Sequence, residues 1–95
     1  MNWKDSINDF KDYLRIERGL SNNSVLSYEN DLKKLSTFLN SKGEEIKPID
    51  VNSDLIKEFI YNVSKEIKSN SQSRVISGIR SFFDYLLFEG LIESN

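Results

Sequence analysis

The sequence predicts an all-α protein, a compact bundle of four main helices forming one domain over residues 1–95. Three observations lead there. Apolar residues recur three or four positions apart in four separate stretches, the period of a helix with one buried face. No stretch alternates polar and apolar residues long enough to suggest a sheet. Proline occurs once, at Pro48, between the second and third periodic stretches.

In the first stretch Trp3, Ile7, Phe10 and Leu14 share a face, which predicts a helix over residues 4–18. Gly19-Leu20 should end it, with glycine in the left-handed conformation and leucine folded back. Ser21 or Asn22 can cap a second helix, whose stripe is Val25, Tyr28, Leu32, Leu35 and Leu39, ending at Gly43. Its opposite face carries Ser24, Ser27, Asp31 and Lys34.

Residues 44–51, EEIKPIDV, read as a connector. Asn52 or Ser53 caps a third helix bearing Leu55, Ile56, Phe59, Ile60, Val63 and Ile67, and KSNSQS is expected to break it. The fourth helix follows from residue 71, with Val75, Ile76, Ile79, Phe82, Phe83, Leu86 and Leu87 on its apolar side. A second Gly-Leu pair, Gly90-Leu91, stops it. Helices this short are marginal alone, so they must bury their stripes against one another. The last residues, LIESN, read as a chain cut at a linker.

Composition narrows the function. Cysteine and histidine are absent, which removes disulfides, thiolate metal sites and the commonest general base. No apolar run approaches the roughly 20 residues of a membrane helix, and the start lacks the pattern of a signal peptide, so a cytoplasmic location is expected. No glycine-rich phosphate loop occurs, and no cofactor, metal or catalytic residue is expected in this chain. Acidic pairs such as Glu44-Glu45, or Asp9 with Asp12, read as solvated surface. Tyr13 and Tyr28 lie beside apolar stripes, and Tyr61 and Tyr85 lie off them with no basic cluster nearby.

The polar sides of helices two and four are small. Arg74, Ser77, Gly78 and Ser81 fall together at about 100° per residue, as do Ser24 and Ser27 with Asn23 nearby. Short side chains let a helix approach a DNA groove, a helix N-terminus attracts phosphate, and arginine offers guanine two hydrogen bonds. Small polar residues also fill solvent-facing positions for no functional reason, and spacing alone leaves both readings open.

The net charge of −2 opposes nucleic-acid binding, but the charge is uneven. Lys65, Lys68, Arg74 and Arg80 face a single acid, Glu66, between residues 65 and 83. Phosphate contact depends on that local field.

Two segments carry a resemblance. GLSNNSVLSYENDLKKLSTFLNSKG resembles the Leu-Ser-x-Asn-Thr/Ser, Tyr, Asp-Leu and Phe-Leu pattern of tyrosine recombinases. SQSRVISGIRSFFDYLLFEGLIESN is similar to that family's Ser-x-x-Arg-x-x-Ser-x-Ile-Arg-x-Phe-Phe-x-Tyr-Leu signature. In order and separation they match the N-terminal, SAM-like core-binding domain of the phage-integrase family, Xer-type and XerD-like in particular, over nearly the whole chain. The first helix begins so near Met1 that no arm-binding domain is expected before it.

The resemblance implies a four-helix domain that clamps one side of duplex DNA through helices two and four. A carboxy-terminal domain outside this chain would hold the catalytic residues, so no tyrosine here takes that role. The implied DNA-contacting residues are Asn23, Ser24, Ser27 and Tyr28 on helix two, and Ser71, Ser73, Arg74, Ser77 and Arg80 on helix four. Arg74 is the foremost of them. Two departures stand out: Ser24 replaces the commoner threonine, and Leu26 occupies a place often polar in relatives.

By the same resemblance the parent protein would cut and rejoin DNA strands through a 3′-phosphotyrosyl intermediate, without ATP or an obligatory metal. It would act as a tetramer of recombinase subunits on a recombination site, resolving joined chromosomes before division, with the septal DNA translocase as a further partner. The alternatives are a mobile-element integrase of the same family, or a helical protein-interaction module using Tyr85 and Phe88.

Overall fold

Asn2 starts the first helix by accepting the Asp5 amide on its side-chain oxygen at 2.8 Å. The computed structural model describes residues 2–43 and 45–92. Its elements run α1 (Trp3–Ile16), α2 (Asn22–Asn40), a single 3-10 turn (Pro48–Asp50), α3 (Ser53–Ser64) and α4 (Ser69–Phe88). Ser21 caps α2 and Asn52 caps α3, each accepting an amide three residues on.

Both Gly-Leu stops form as expected. Gly19 and Gly90 take positive φ values of 63° and 73°, which a residue with a Cβ rarely adopts. Each lets the following leucine amide reach back to the helix, Leu20 to the Leu14 carbonyl and Leu91 to the Leu86 carbonyl.

α2 packs against all three other helices, and α4 also packs against α3. The core between them contains Phe10, Leu14, Val25, Leu32, Leu35, Leu39, Phe59, Val75, Phe82 and Leu86, each at most 2% exposed. Burial of side chains this size contributes about 1.5–3 kcal/mol each before entropy is subtracted. Phe10 is the hub between α1 and α4, with ring centroids 5.4 Å from Phe82 and 5.3 Å from Tyr85. Trp3 stacks on Phe82 and donates its indole N–H to the Ile46 carbonyl at 2.7 Å, pinning the connector to the bundle. Among the described residues no helix is long and apolar enough to cross a membrane.

Four expectations about α4 need correction. KSNSQS does not break the chain throughout, because α4 already begins at Ser69. Polar residues in a first turn do not oppose a helix whose first amides are free. Gln72, within this stretch, uses its side-chain amide to cover the carbonyls of Ser64, the last residue of α3, and of Ile67 in the connection that follows.

Tyr85, expected off the core, is 8% exposed and packs on Phe10 and Tyr13, whereas Leu87, expected on the apolar side, is 41% exposed. α4 faces α1 as well as α2 and α3, so its buried arc is wider than one stripe. Gly78, expected on the slender polar face, is buried against α2.

Candidate nucleic-acid interface

The first turns of the helices differ in charge. α1 and α3 carry Asp5 and Asp54 there, whereas α2 and α4 carry no acid. No carboxylate in the first turn therefore offsets the positive ends of α2 and α4. At the head of α2, Asn23 is exposed, and the half-buried Ser24 hydroxyl lies 3.2 Å from the capping Ser21 hydroxyl.

Along α2 and its C-cap, Ser27, Asn30, Lys34, Thr37 and Ser41 follow one another at spacings of three and four. They form one wall of a groove of about 740 Å³. Asn62 of α3 and Glu66 just after that helix lie opposite, Phe38, Phe59 and Val63 add apolar surface, and Arg74 of α4 stands at the groove. Lys33, Lys34 and Arg74 line it against one acid, Glu66. Glu29 pairs with Lys33 at 3.6 Å and Asp31 with Arg74, so two of these three charges are partly offset from beneath.

Arg74 is anchored from beneath. Its Nη1 donates to both carboxylate oxygens of Asp31, each at 3.2 Å. Asp31 is sealed inside, with 2% of its side chain exposed, while 51% of the Arg74 side chain is exposed. Burial pushes the Asp31 carboxyl above its ordinary range, and the charges of Arg74 and Lys34 only partly offset this. Glu29, one residue pair earlier on α2, goes the other way. Burial raises it, but its hydrogen bond with Lys11 and the charges of Lys11 and Lys33 outweigh burial and hold it below the usual value.

Ser27 and Arg74 thus share the groove, and Ser77 is exposed one turn after Arg74. Ser71 is half-buried, and its amide bonds to the Asn70 side chain. The Ser73 hydroxyl donates to the Ser69 carbonyl of its own helix at 3.3 Å. Tyr28 is half-buried and meets Phe10 edge-on at 6.0 Å, a packing role. Arg80 belongs elsewhere. It lines a second, more apolar groove with Pro48, Ile56, Ile60, Ile76 and Phe83.

Sequence reasoning missed Asn30, Lys34 and Thr37 as groove residues, although their three-four spacing from Ser27 was available. It also missed Asp31 as the partner of Arg74. Among the described residues no cluster of acids, histidines or cysteines is placed to hold a metal ion.

Residues 7–90 match the family model described as phage integrase, N-terminal SAM-like domain. The chain is 37% identical over 92 residues to a tyrosine recombinase of Pseudothermotoga lettingae, covering 94% of this chain and 32% of that protein. It is 37% identical over 87 residues to tyrosine recombinase XerD of Listeria monocytogenes, covering 90% and 29%. It is 38% identical over 90 residues to tyrosine recombinase XerC of Leptospira interrogans, covering 90% and 28%. No solved structure gave a significant match. The chain therefore spans about a third of the length of the curated relatives it matches. With the family model covering all four helices in order, the chain belongs to the phage-integrase family, as its N-terminal SAM-like domain.

Proposed function

We propose that this chain is the DNA-recognising part of a site-specific tyrosine recombinase, gripping duplex DNA with the groove where α2 meets the head of α4. The observation that carries the reading is the meeting of Ser27, Lys34 and Arg74 in one groove from helices far apart in sequence. Acid-free first turns on the same two helices support it, since both ends attract phosphate. Arginine over the groove supplies base readout, and lysine with the helix ends supplies positioning on the backbone.

The parent protein, in this reading, cuts and rejoins DNA strands, a reading supported by relatives named tyrosine recombinases, with the reacting tyrosine on a part outside this chain. The Xer-type resemblance extends the proposal to resolution of joined chromosomes by paired recombinases. Phe88 is 73% exposed and tilted against Tyr13 with ring centroids 6.5 Å apart, a surface suited to another recombinase subunit or to the catalytic part.

The test is a titration of the isotope-labelled chain with duplex DNA at low salt. Amide shifts should concentrate at Ser27, Asn30, Lys34, Arg74 and Ser77. Shifts confined to the region of Tyr13 and Phe88, or no binding at low salt, would overturn the reading in favour of a protein-interaction module.

A further inference from the structure

Nη1 of Arg74 alone makes both contacts to Asp31, so the other edge of the guanidinium is not engaged by the acid. A guanidinium presents five N–H donors in a fixed fork. With Nη1 held from below, the Nε and Nη2 hydrogens remain as a parallel pair, the arrangement that matches O6 and N7 of guanine. Here the acid is sealed and the base is open.

Gly78 adds a second, independent observation. It lies inside α4, where glycine is a poor helix former. A Cβ there would come within 2.8 Å of Asp31 Oδ2, so the position leaves room for the carboxylate.

Resting on the proposed DNA-binding role, we propose that Asp31 is a positioning residue that makes Arg74 read bases rather than bind phosphate indiscriminately. It does so in two ways. It fixes the guanidinium so that only the Nε–Nη2 edge is presented. It also cancels most of the arginine's charge, so loose attachment to any phosphate gains little. The ligand implied is a purine edge carrying two adjacent acceptors in a major groove, with guanine the matching base.

The experiment compares two duplexes at one salt concentration. One is selected by the chain from a random pool, and the other has the same composition scrambled. In D31N, affinity for the scrambled duplex should rise and affinity for the selected one fall. The preference between them should shrink by roughly tenfold, within the range a two-hydrogen-bond base contact carries. Adding D31N to an Arg74→Ala background should leave the remaining preference unchanged, because Asp31 acts only through the arginine.

Arg74→Lys serves as the second variant, since an exposed lysine keeps the charge and the fold but lacks the paired donor edge. It should hold the scrambled duplex as well as the parent chain does and lose the preference. The inference is overturned if D31N keeps the preference, if it shrinks the preference equally without Arg74, or if Arg74→Lys retains it. A chain that selects no sequence, or binds no duplex, overturns the underlying DNA-reading role as well.

Discussion

A Cβ on Gly78 would lie 2.8 Å from Asp31 Oδ2 and 3.3 Å from Tyr28 Cδ1, so α4 can approach α2 here only without a side chain. Two effects oppose each other in Gly78→Ala. Alanine gains about 0.5–1 kcal/mol in a helix interior. Against this, Asp31 is buried and tied to Arg74, so its oxygen cannot yield without losing that contact. Overpacking of this kind costs about 1–3 kcal/mol, and the clash wins. Gly78→Ala should destabilise by about 1 kcal/mol net in urea melts. In an Asp31→Ala background most of that cost should disappear, because the obstructing oxygen is gone.

Arg74→Ala leaves a sealed carboxylate without its main partner. At neutral pH this should cost about 1–2 kcal/mol of stability, the penalty of an unsatisfied buried group. The sign with pH follows from Asp31's raised value in the folded protein. A carboxyl raised by folding opposes stability above its folded value and ceases to do so once protonated. Without Arg74 the folded value rises further. The gap between variant and parent should therefore be full at neutral pH and close as pH falls toward the ordinary aspartate value of about 3.9. Glu29 has the opposite sign, since its lowered value stabilises above the ordinary range and is lost in acid, but it is present in both chains and cancels. Thermal melts from neutral to acid pH measure the gap. A gap that widens in acid would remove the ion pair as its source.

Local signals were legible in the sequence because their physics is local. The two Gly-Leu stops could be placed from neighbours alone, and the structure bears them out; Asn52, one of two cap candidates for α3, was fixed by the Leu55 amide. Ser21, one of two cap candidates, was fixed by the Ser24 amide. What escaped depends on pairings between distant segments. Asp31 and Arg74 are separated by 43 positions, and each alone looks like a solvent-facing charge. Gly78 looked like part of a slender face because nothing in its helix reveals that α2 crosses there. Tyr85 looked peripheral because the periodicity of one helix cannot show that α1 packs beside it. Ser27 and Arg74 were both expected to face DNA, but their common groove required the crossing of α2 and α4 to be known.

Trp3 holds the connector by one hydrogen bond to the Ile46 carbonyl and by its stack on Phe82. Trp3→Phe keeps an aromatic ring but removes the N–H. The expected loss is about 1 kcal/mol, the usual net value of such a bond. Hydrogen exchange should accelerate in the 3-10 turn, at Asp50 and Val51, whose amides bond within the turn. The ends of α2 should be unaffected. Uniform acceleration across all four helices would mean that lost packing, not the lost tether, is responsible.

The two grooves of the domain make separate predictions for two lysines. Lys34 lines the groove with Ser27 and Arg74, while Lys57 lines the apolar groove with Arg80. Lys34 has no paired donor edge and acts as a point charge, so its contact should be with phosphate. Lys34→Ala should then weaken selected and scrambled duplexes by the same factor. It should also lower the slope of log affinity against log salt by about 0.9, the value of one released counterion. Lys57→Ala should leave both affinities and the slope unchanged. If Lys57→Ala weakens binding and Lys34→Ala does not, DNA lies in the groove of Arg80 instead. The contrast with Arg74, whose loss should change preference more than slope, separates positioning from reading within one groove.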